Sequence, residues 1–510
     1  MGMVARPPPL LRSHPGSSTC PRPALAFPLP FYPRCDRLAS LSAFKPQCIF
    51  LLDMPFQVWP RTEVHGLVIT IIGLDICWRH GMSVGMPLLA DLKGAEKRAR
   101  ALWVILSVAA ALRLLPALLL SVDAWDLHLY REMGEVFLKG QNVYTATRGL
   151  YPYTALSLPI PGLLLALSLV SGWPFPVLMK VPAILGELGT VWLLYRMGSR
   201  GSGASRDRGL AWALAYALNP VGILIAGFQG NIMPLVALVC LASYYFLERS
   251  GKANPPTRDQ VLSALALGIA IALRGFPVLI APIFALRLRR TSWMRYLMLA
   301  ALPSVVALAP YFAVTPGDVV REVFGYSGQP ILGWPVLVLA PAFLQNDHQG
   351  AVKWLLDNAW ISKLAFLAAY SVLVALCLRT ERFSTLGATM IVWLLFYTVY
   401  GGVAPQYLVW LIPFAIVAGD RALWPFLVGG SLAVAGFFLF ECSEILLGPY
   451  ELSRLAYGLP AFLLYVLGGG SLWLHGAAWL TRLWREFVRG SVHGDSHPLD
   501  GFSGPLEAGM

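Results

Sequence analysis

The chain has 510 residues, 57% of them hydrophobic and 13% charged, with a formal net charge of +12 and a mean hydropathy of +0.63. Such a composition lies outside the soluble globular range. The basic residues sit in short loops rather than in a basic domain, which excludes a nucleic-acid partner, and the cysteines at positions 20, 35, 48, 77, 240, 377 and 442 form no CxxC pair that would indicate a metal site or a disulfide framework.

Residues 1–95 differ from everything after them. Met1 to Pro60 is rich in Pro, Ser, Arg and Cys and lacks a helical period, a composition that reads as disorder. The apolar piece Gly66 to Ile72 is too short to span a bilayer, and no secretory signal is recognisable. Met82 or Met86 would be an ordinary start for a membrane protein, because a basic flank then leads straight into the first apolar segment. The extension is therefore expected to be disordered or no part of the native start.

From residue 101 onward apolar runs recur near 101–121, 154–171, 178–196, 209–226, 230–248, 261–285, 296–313, 359–377, 384–400, 404–419, 422–440 and 456–480. A helix needs roughly 20 apolar residues to cross about 30 Å of hydrocarbon. The predicted fold is an all-α integral membrane protein, a polytopic bundle of roughly 10–13 transmembrane helices over residues 96–485, followed by a cytoplasmic tail at 486–510. The clusters Lys93/Lys97/Arg98/Arg100, Arg287/Arg289/Arg290/Arg295, Arg379/Arg382 and Arg482/Arg485/Arg489 follow the positive-inside pattern. They place segments 122–153 and 314–358 outside. Counting every apolar run as a crossing also puts the Arg200/Arg206/Arg208 loop outside, against the charge pattern. Breaks near Pro220 and Gly275-Phe276-Pro277 offer one repair. No internal repeat is evident, which weakens a transporter built from duplicated halves.

The first outer segment carries Asp123, Asp126, Glu132 and Glu135 directly after an apolar run. Asp123, Asp126 and Tyr130 share one helical face. A carboxylate beside apolar surface has its pKa raised by desolvation and can take a proton from a hydroxyl. The alternative reading is an ordinary set of acids at a helix N-terminus, favoured by its dipole.

Lys180, Glu187 and Arg274 fall inside apolar runs, where a charge marks a pathway or a paired contact. Arg274 has three readings: a phosphate-binding fork, an interfacial snorkel, or a counter-ion for Glu187. Gln229 and Asn231 follow Asn219-Pro220 in an amide-rich turn, Gln406 and Tyr407 open a helix with Trp410, and Tyr326 precedes Gly333-Trp334. Amides and ring faces of this kind suit sugar recognition, although Trp and Tyr are also expected at any membrane interface. No Walker A loop, HExxH or GxSxG motif is present. His128 and Asp347-His348 stand isolated.

Taken in order, these pieces resemble the GT-C superfamily of glycosyltransferases, in particular its multi-pass, mannosyltransferase-like branch that uses polyprenyl-phosphate sugars. The resemblance rests on Asp126-x-x-x-Tyr130, then Gly140 to Tyr144 and Tyr151-Pro152-Tyr153, then ALNPVGILIAGFQGN, Arg274 before Phe276-Pro277, Tyr326 to Trp334, and Pro405-Gln406-Tyr407 to Trp410. It covers about residues 95–480. Three departures are visible: Arg274 stands where relatives commonly keep a lysine before Phe-Pro, which preserves the charge; Ile232 and Met233 follow Asn231 where relatives commonly have an acid; and Asp123-Ala-Trp-Asp126 replaces a strict Asp-x-Asp.

The resemblance implies an inverting hexose transfer, with mannose as the sugar, from a polyprenyl-phosphate donor to a lipid-linked or cell-envelope glycan acceptor at the non-cytoplasmic face of the cell membrane. Asp126 would be the general base with Asp123 second, Arg274 the phosphate contact, and Tyr130, Gln229, Asn231, Tyr326, Gln406 and Tyr407 the substrate contacts. The resemblance fixes no cofactor and is compatible with a divalent metal, and membrane lipids are the other partners. The competing reading is a transporter or lipid flippase whose path Lys180, Glu187 and Arg274 would line.

Overall fold

A computed structural model describes residues 94–122, 125–147, 151–200, 205–250, 257–326, 328–345, 348–380, 384–441, 444–447 and 450–493. The expected extension therefore lies outside the described residues except at its end, as does Asp123. The last helix runs through to His493, into the segment 486–510 read as the tail.

The chain opens with α1 (Ala95–Leu119), which passes into a short strand β1 (Leu120–Val122) and an amphipathic helix α2 (Trp125–Leu138). A single helical turn α3 (Val143–Ala146) and the apolar α4 (Pro159–Ser171) follow. Then come α5 (Phe175–Gly198), α6 (Ser205–Ala217) and α7 (Pro220–Ile223), which widens into a π-turn over Leu224–Gln229. Next are α8 (Met233–Ser250), α9 (Arg258–Leu273), and a 3-10 turn Phe276–Ile280 continued by α10 (Ala281–Arg287). After α11 (Trp293–Val314) an outer segment holds α12 (Pro316–Val319), a second π-turn Val320–Phe324, α13 (Pro335–Leu344) and α14 (His348–Asp357). The chain closes with α15 (Ala359–Arg379), α16 (Thr385–Thr398), a 3-10 turn Pro405–Trp410 leading into α17 (Ile412–Ala418), α18 (Leu423–Glu441), strands β2 (Glu444–Leu447) and β3 (Tyr450–Ser453), and α19 (Arg454–His493).

The protein is thus a polytopic helical bundle, with one addition that hydropathy does not reveal. β1 pairs antiparallel with β2, Ser121 opposite Leu446, and β2 pairs with β3. This small sheet ties the end of α1 to the connection between α18 and α19.

Among the described residues, five helices are long and apolar enough to cross a membrane, or six if the pair α6–α7, bent by 48°, counts as one span. Other apolar runs are broken into pieces such as Phe276–Arg287, Thr385–Thr398 and Pro405–Ala418. Proline and glycine break them, and burial makes the short length tolerable. Every residue of α16 and of 405–418 is buried. A helix apolar on all sides belongs to the centre of a bundle and has no lipid face to match.

Two contacts fix the direction of α5. Lys180 Nζ donates to the Leu120 carbonyl at 3.4 Å, and Glu187 accepts from Arg113 at 2.6 Å. Rising numbers on α5 meet falling numbers on α1, so the two helices are antiparallel. The stretch 120–174 therefore leaves and returns at one end of this pair. Its helix α4 has 13 residues, about 20 Å of rise, too short for the hydrocarbon core. The end of α5 then lies with the basic start of α1, which removes the conflict over the Arg200 loop; the repair sits at α4, earlier than Pro220 or Gly275.

The same end collects further charges. Arg200 donates to the Tyr245 hydroxyl, Arg249 pairs with Asp259 at 3.2 Å, and Arg287 reaches Glu248 at 4.0 Å. α8, with 18 residues, brings the chain to this end from the opposite one, about 27 Å away.

Candidate active site

The opposite end of α8 is shaped by the sequence ALNPVGILIAGFQGN. The Asn219 side chain accepts from Val221 N at 3.1 Å, and Pro220 supplies the first helical position, where its missing N–H is harmless. The helix then widens into the π-turn, a feature often found at functional sites, which delivers Gln229. Gly230 ends it at φ 75°. A Cβ there would lie 2.8 Å from Lys180 Cγ, so both backbone and space require glycine.

Asn231 comes next, and its amide is committed at both ends. Oδ1 accepts from Met233 N at 3.2 Å and so caps the start of α8, which turns Nδ2 toward Asp126 Oδ2 at 2.9 Å. Gln229 Nε2 donates to the same carboxylate oxygen at 2.6 Å and lies 3.5 Å from Gln406 Oε1. Asp126 Oδ1 accepts no hydrogen bond from the described residues. Burial raises the Asp126 pKa above the ordinary carboxylate value; the Asn231 amide, the Arg274 charge and the Gln229 amide pull it only partly back.

Arg274 follows the last residue of α9 in extended conformation and is 2% exposed. Its Nη2 donates to the Tyr130 hydroxyl at 2.6 Å, Nη1 to the Leu273 carbonyl at 3.2 Å, and the guanidinium stacks 3.6 Å above the Tyr153 ring. The aromatic pile beneath is fixed by Tyr144 donating to the Tyr153 carbonyl at 2.9 Å and Tyr151 donating to the Thr154 carbonyl at 2.8 Å. Thr154 in turn donates to Ala272 O at 2.6 Å, which ties the first outer segment to the end of α9.

The second outer segment docks beside it. Leu332 N donates to Val403 O at 2.8 Å, and Gly328, at φ 80°, passes so close to the Gly402 backbone that a Cβ would sit 2.3 Å from its carbonyl oxygen. This places Tyr326 beside Tyr407. Tyr407 stacks on Trp410 at 4.8 Å.

Asp126, Tyr130, Gln229, Asn231, Arg274, Gln406, Tyr407 and Tyr326, far apart in sequence, are thus brought to one end of the bundle. Two buried polar atoms of these eight residues have no partner among the described residues: the acceptor Gln229 Oε1 and the donor Arg274 Nε. Native interiors rarely leave such atoms unmatched, and a ligand carrying a hydroxyl and an anionic oxygen would satisfy both. Among the described residues no group of three or more His, Cys, Asp or Glu side chains is placed to hold a metal ion. One Asp126 oxygen is occupied by amide donors, and Asp123 lies outside the described residues.

No family model matches the chain, and no curated relative matches it either. Among solved structures it is similar to the crystal structure of ArnT from Cupriavidus metallidurans bound to undecaprenyl phosphate. The likeness has a TM-score of 0.41 and 15% identity, and covers 76% of this chain and 79% of that one. A likeness that distant supports no conclusion about the site, so the chemistry rests on the residues themselves.

The structure also answers what the intramembrane charges do. Glu187 is paired with Arg113 and accepts from the Tyr216 hydroxyl at 2.9 Å, so neither Arg274 nor Lys180 neutralises it. Arg113 was not singled out in the sequence, although an arginine inside LSVAAALRLLPALLL carries the same signal as Lys180. Tyr153 likewise went unassigned, because nothing in Tyr-Pro-Tyr says which ring will lie under a cation.

Proposed function

We propose that this chain is a membrane glycosyltransferase that moves a hexose, mannose, from a polyprenyl-phosphate sugar to a lipid-linked or cell-envelope glycan acceptor. The transfer proceeds with inversion on the non-cytoplasmic face of the cell membrane. The observation that carries the proposal is the Asp126 carboxylate: one oxygen held by two amides, the other open, beside a buried guanidinium with an unused N–H. Side of action follows from the charge pattern, because the site lies one α8 length away from the arginine-rich end.

In this reading the acceptor hydroxyl gives its proton to Asp126 Oδ1 while its oxygen bonds to the anomeric carbon. The bond from that carbon to the phosphate oxygen breaks, its electron pair leaving with the polyprenyl phosphate, and Arg274 stabilises the charge that develops. Gln229 Oε1 accepts a sugar hydroxyl, and the Tyr326 ring offers a face for the sugar, with the buried Tyr407 behind it. Tyr130 and Asn231 act as positioning residues, since their polar atoms already bind Arg274 and Asp126 respectively.

A transporter or flippase fits less well. The buried mid-bundle charges, Arg113 and Glu187, are locked to each other and to backbone carbonyls at Ala109 and Ala217. Their polar atoms are therefore engaged with protein groups rather than presented to a passing substrate. The test is transfer from radiolabelled polyprenyl-phosphate mannose in membranes, comparing wild type with Asp126→Asn. Equal transfer by both would refute the base assignment, and transfer of label from no polyprenyl-phosphate sugar by wild type would refute the donor class.

A further inference from the structure

Lys180 is buried in the described structure, with 1% of its surface exposed. Lysine is almost never fully buried unless paired, yet its ammonium has one acceptor among the described residues, the Leu120 carbonyl at 3.4 Å. The acid on its own helix, Glu187, is already satisfied by Arg113 and Tyr216. An ammonium offers three donors, so most of its capacity is unused. Its stem packs against Gly230, between the two amides that hold Asp126. This cation, which has no anionic partner among the described residues, thus belongs to the same end of the bundle as Asp126 and Arg274.

We propose that Lys180 forms a second anion subsite, matched to the phosphate monoester released by the transfer rather than to the phosphodiester of the donor. The charge balance of the reaction motivates this. The donor's phosphodiester carries one negative charge. When the sugar leaves, the electron pair of the broken bond stays on phosphorus-bound oxygen, and the monoester carries up to two. Arg274 supplies one positive charge against the phosphate throughout the step, and Lys180 supplies the second that the doubly charged monoester calls for. The inference rests on the transferase reading for the identity of the ligand. The feature itself, a buried cation wanting an anion, does not depend on it.

The experiment measures thermal midpoints of the detergent-solubilised full chain with three probes: a polyprenyl phosphate monoester, its methyl phosphodiester, and inorganic phosphate. Wild type is expected to bind the monoester more tightly than the diester. Lys180→Met should weaken the monoester about tenfold or more, as loss of a charge-assisted hydrogen bond does, and leave the diester unchanged, while Lys180→Arg restores the preference. Its ligand-free midpoint should stay level or rise, because an unpaired buried charge is removed.

A shift by inorganic phosphate that Lys180→Met abolishes means that the subsite reads the headgroup alone; response to the lipid monoester only means that the chain is read too. Either result supports the subsite. A wild-type preference retained in Lys180→Met would overturn it. So would a lowered ligand-free midpoint with unchanged monoester affinity, which would reduce Lys180 to a cap on α1. Absence of sugar transfer with monoester binding intact would sink the transferase reading and leave the subsite standing.

Discussion

Glu187 and Asp126 both lie inside this bundle, and they are held in opposite ways. Glu187 receives two guanidinium N–H groups from Arg113 and a phenol from Tyr216, with both oxygens engaged. Asp126 receives only neutral amides, both on one oxygen. The first arrangement neutralises a charge; the second leaves a charge partly unanswered and one lone-pair face open. Burial alone does not distinguish a structural carboxylate from a reactive one. The partner's charge, and the number of oxygens left free, do.

The largest effect that tests this contrast is on Asp126. Asp126→Asn is expected to lower transfer by about 10²–10⁴-fold, the usual contribution of a positioned base, while the thermal midpoint holds or rises. A protein that loses fold and activity together would erase the contrast. Glu187→Gln should do the reverse: stability falls by about 3–5 kcal/mol because Arg113 is left as an uncompensated buried charge. The surviving folded fraction should keep its specific activity. Replacing both partners, Arg113→Met with Glu187→Met, should recover most of the loss. Chemical denaturation of the three variants in one detergent decides it.

Acidification gives the third test, and here the sign matters. Burial raises Asp126 above its ordinary value near 4. The base works only when ionised, so transfer should fall as pH drops through this raised value, earlier than for an exposed aspartate. Folding stability should move the other way. The Asp126 contribution is fully present below the unfolded pKa and is lost as pH rises through the folded one. Activity and stability profiles recorded in parallel that fall together in this window would contradict the assignment.

Two smaller effects sharpen the site's geometry. Asn231→Ala removes a helix cap worth about 1 kcal/mol and one amide donor to Asp126, so the acidic limb of the transfer profile should shift to higher pH. Tyr153→Leu removes the ring under Arg274, an interaction of about 0.5–2 kcal/mol. It should weaken donor binding severalfold with little change in thermal midpoint, read as a KM increase.

The helical, membrane-embedded character of the body was legible in its apolar runs, because hydrocarbon thickness imposes a length on every exposed span. Buried helices escape that constraint, which is why α16 and α17 are short and why counting runs overstates the long spans. The residues that meet at the site could be picked out as polar interruptions of apolar sequence and by family resemblance. Their mutual geometry could not. Nothing in the string predicts that Arg113 rather than Arg274 answers Glu187, since the pairing depends on α1 and α5 running antiparallel. Nor does it predict that Leu120–Val122 finds strand partners far away, at Glu444–Leu447.

Asn231 has no conservative replacement. Aspartate would cap α8 equally well but would point a second acid at Asp126. Serine or threonine would keep the cap and offer no N–H of the right reach. Glutamine carries the right groups on a stem one carbon too long to serve both sides. A single carboxamide joins the start of a helix to the proton-accepting group, so drift at this codon cannot be absorbed gradually: any step away from asparagine forfeits either the helix start or the tuning of the acid.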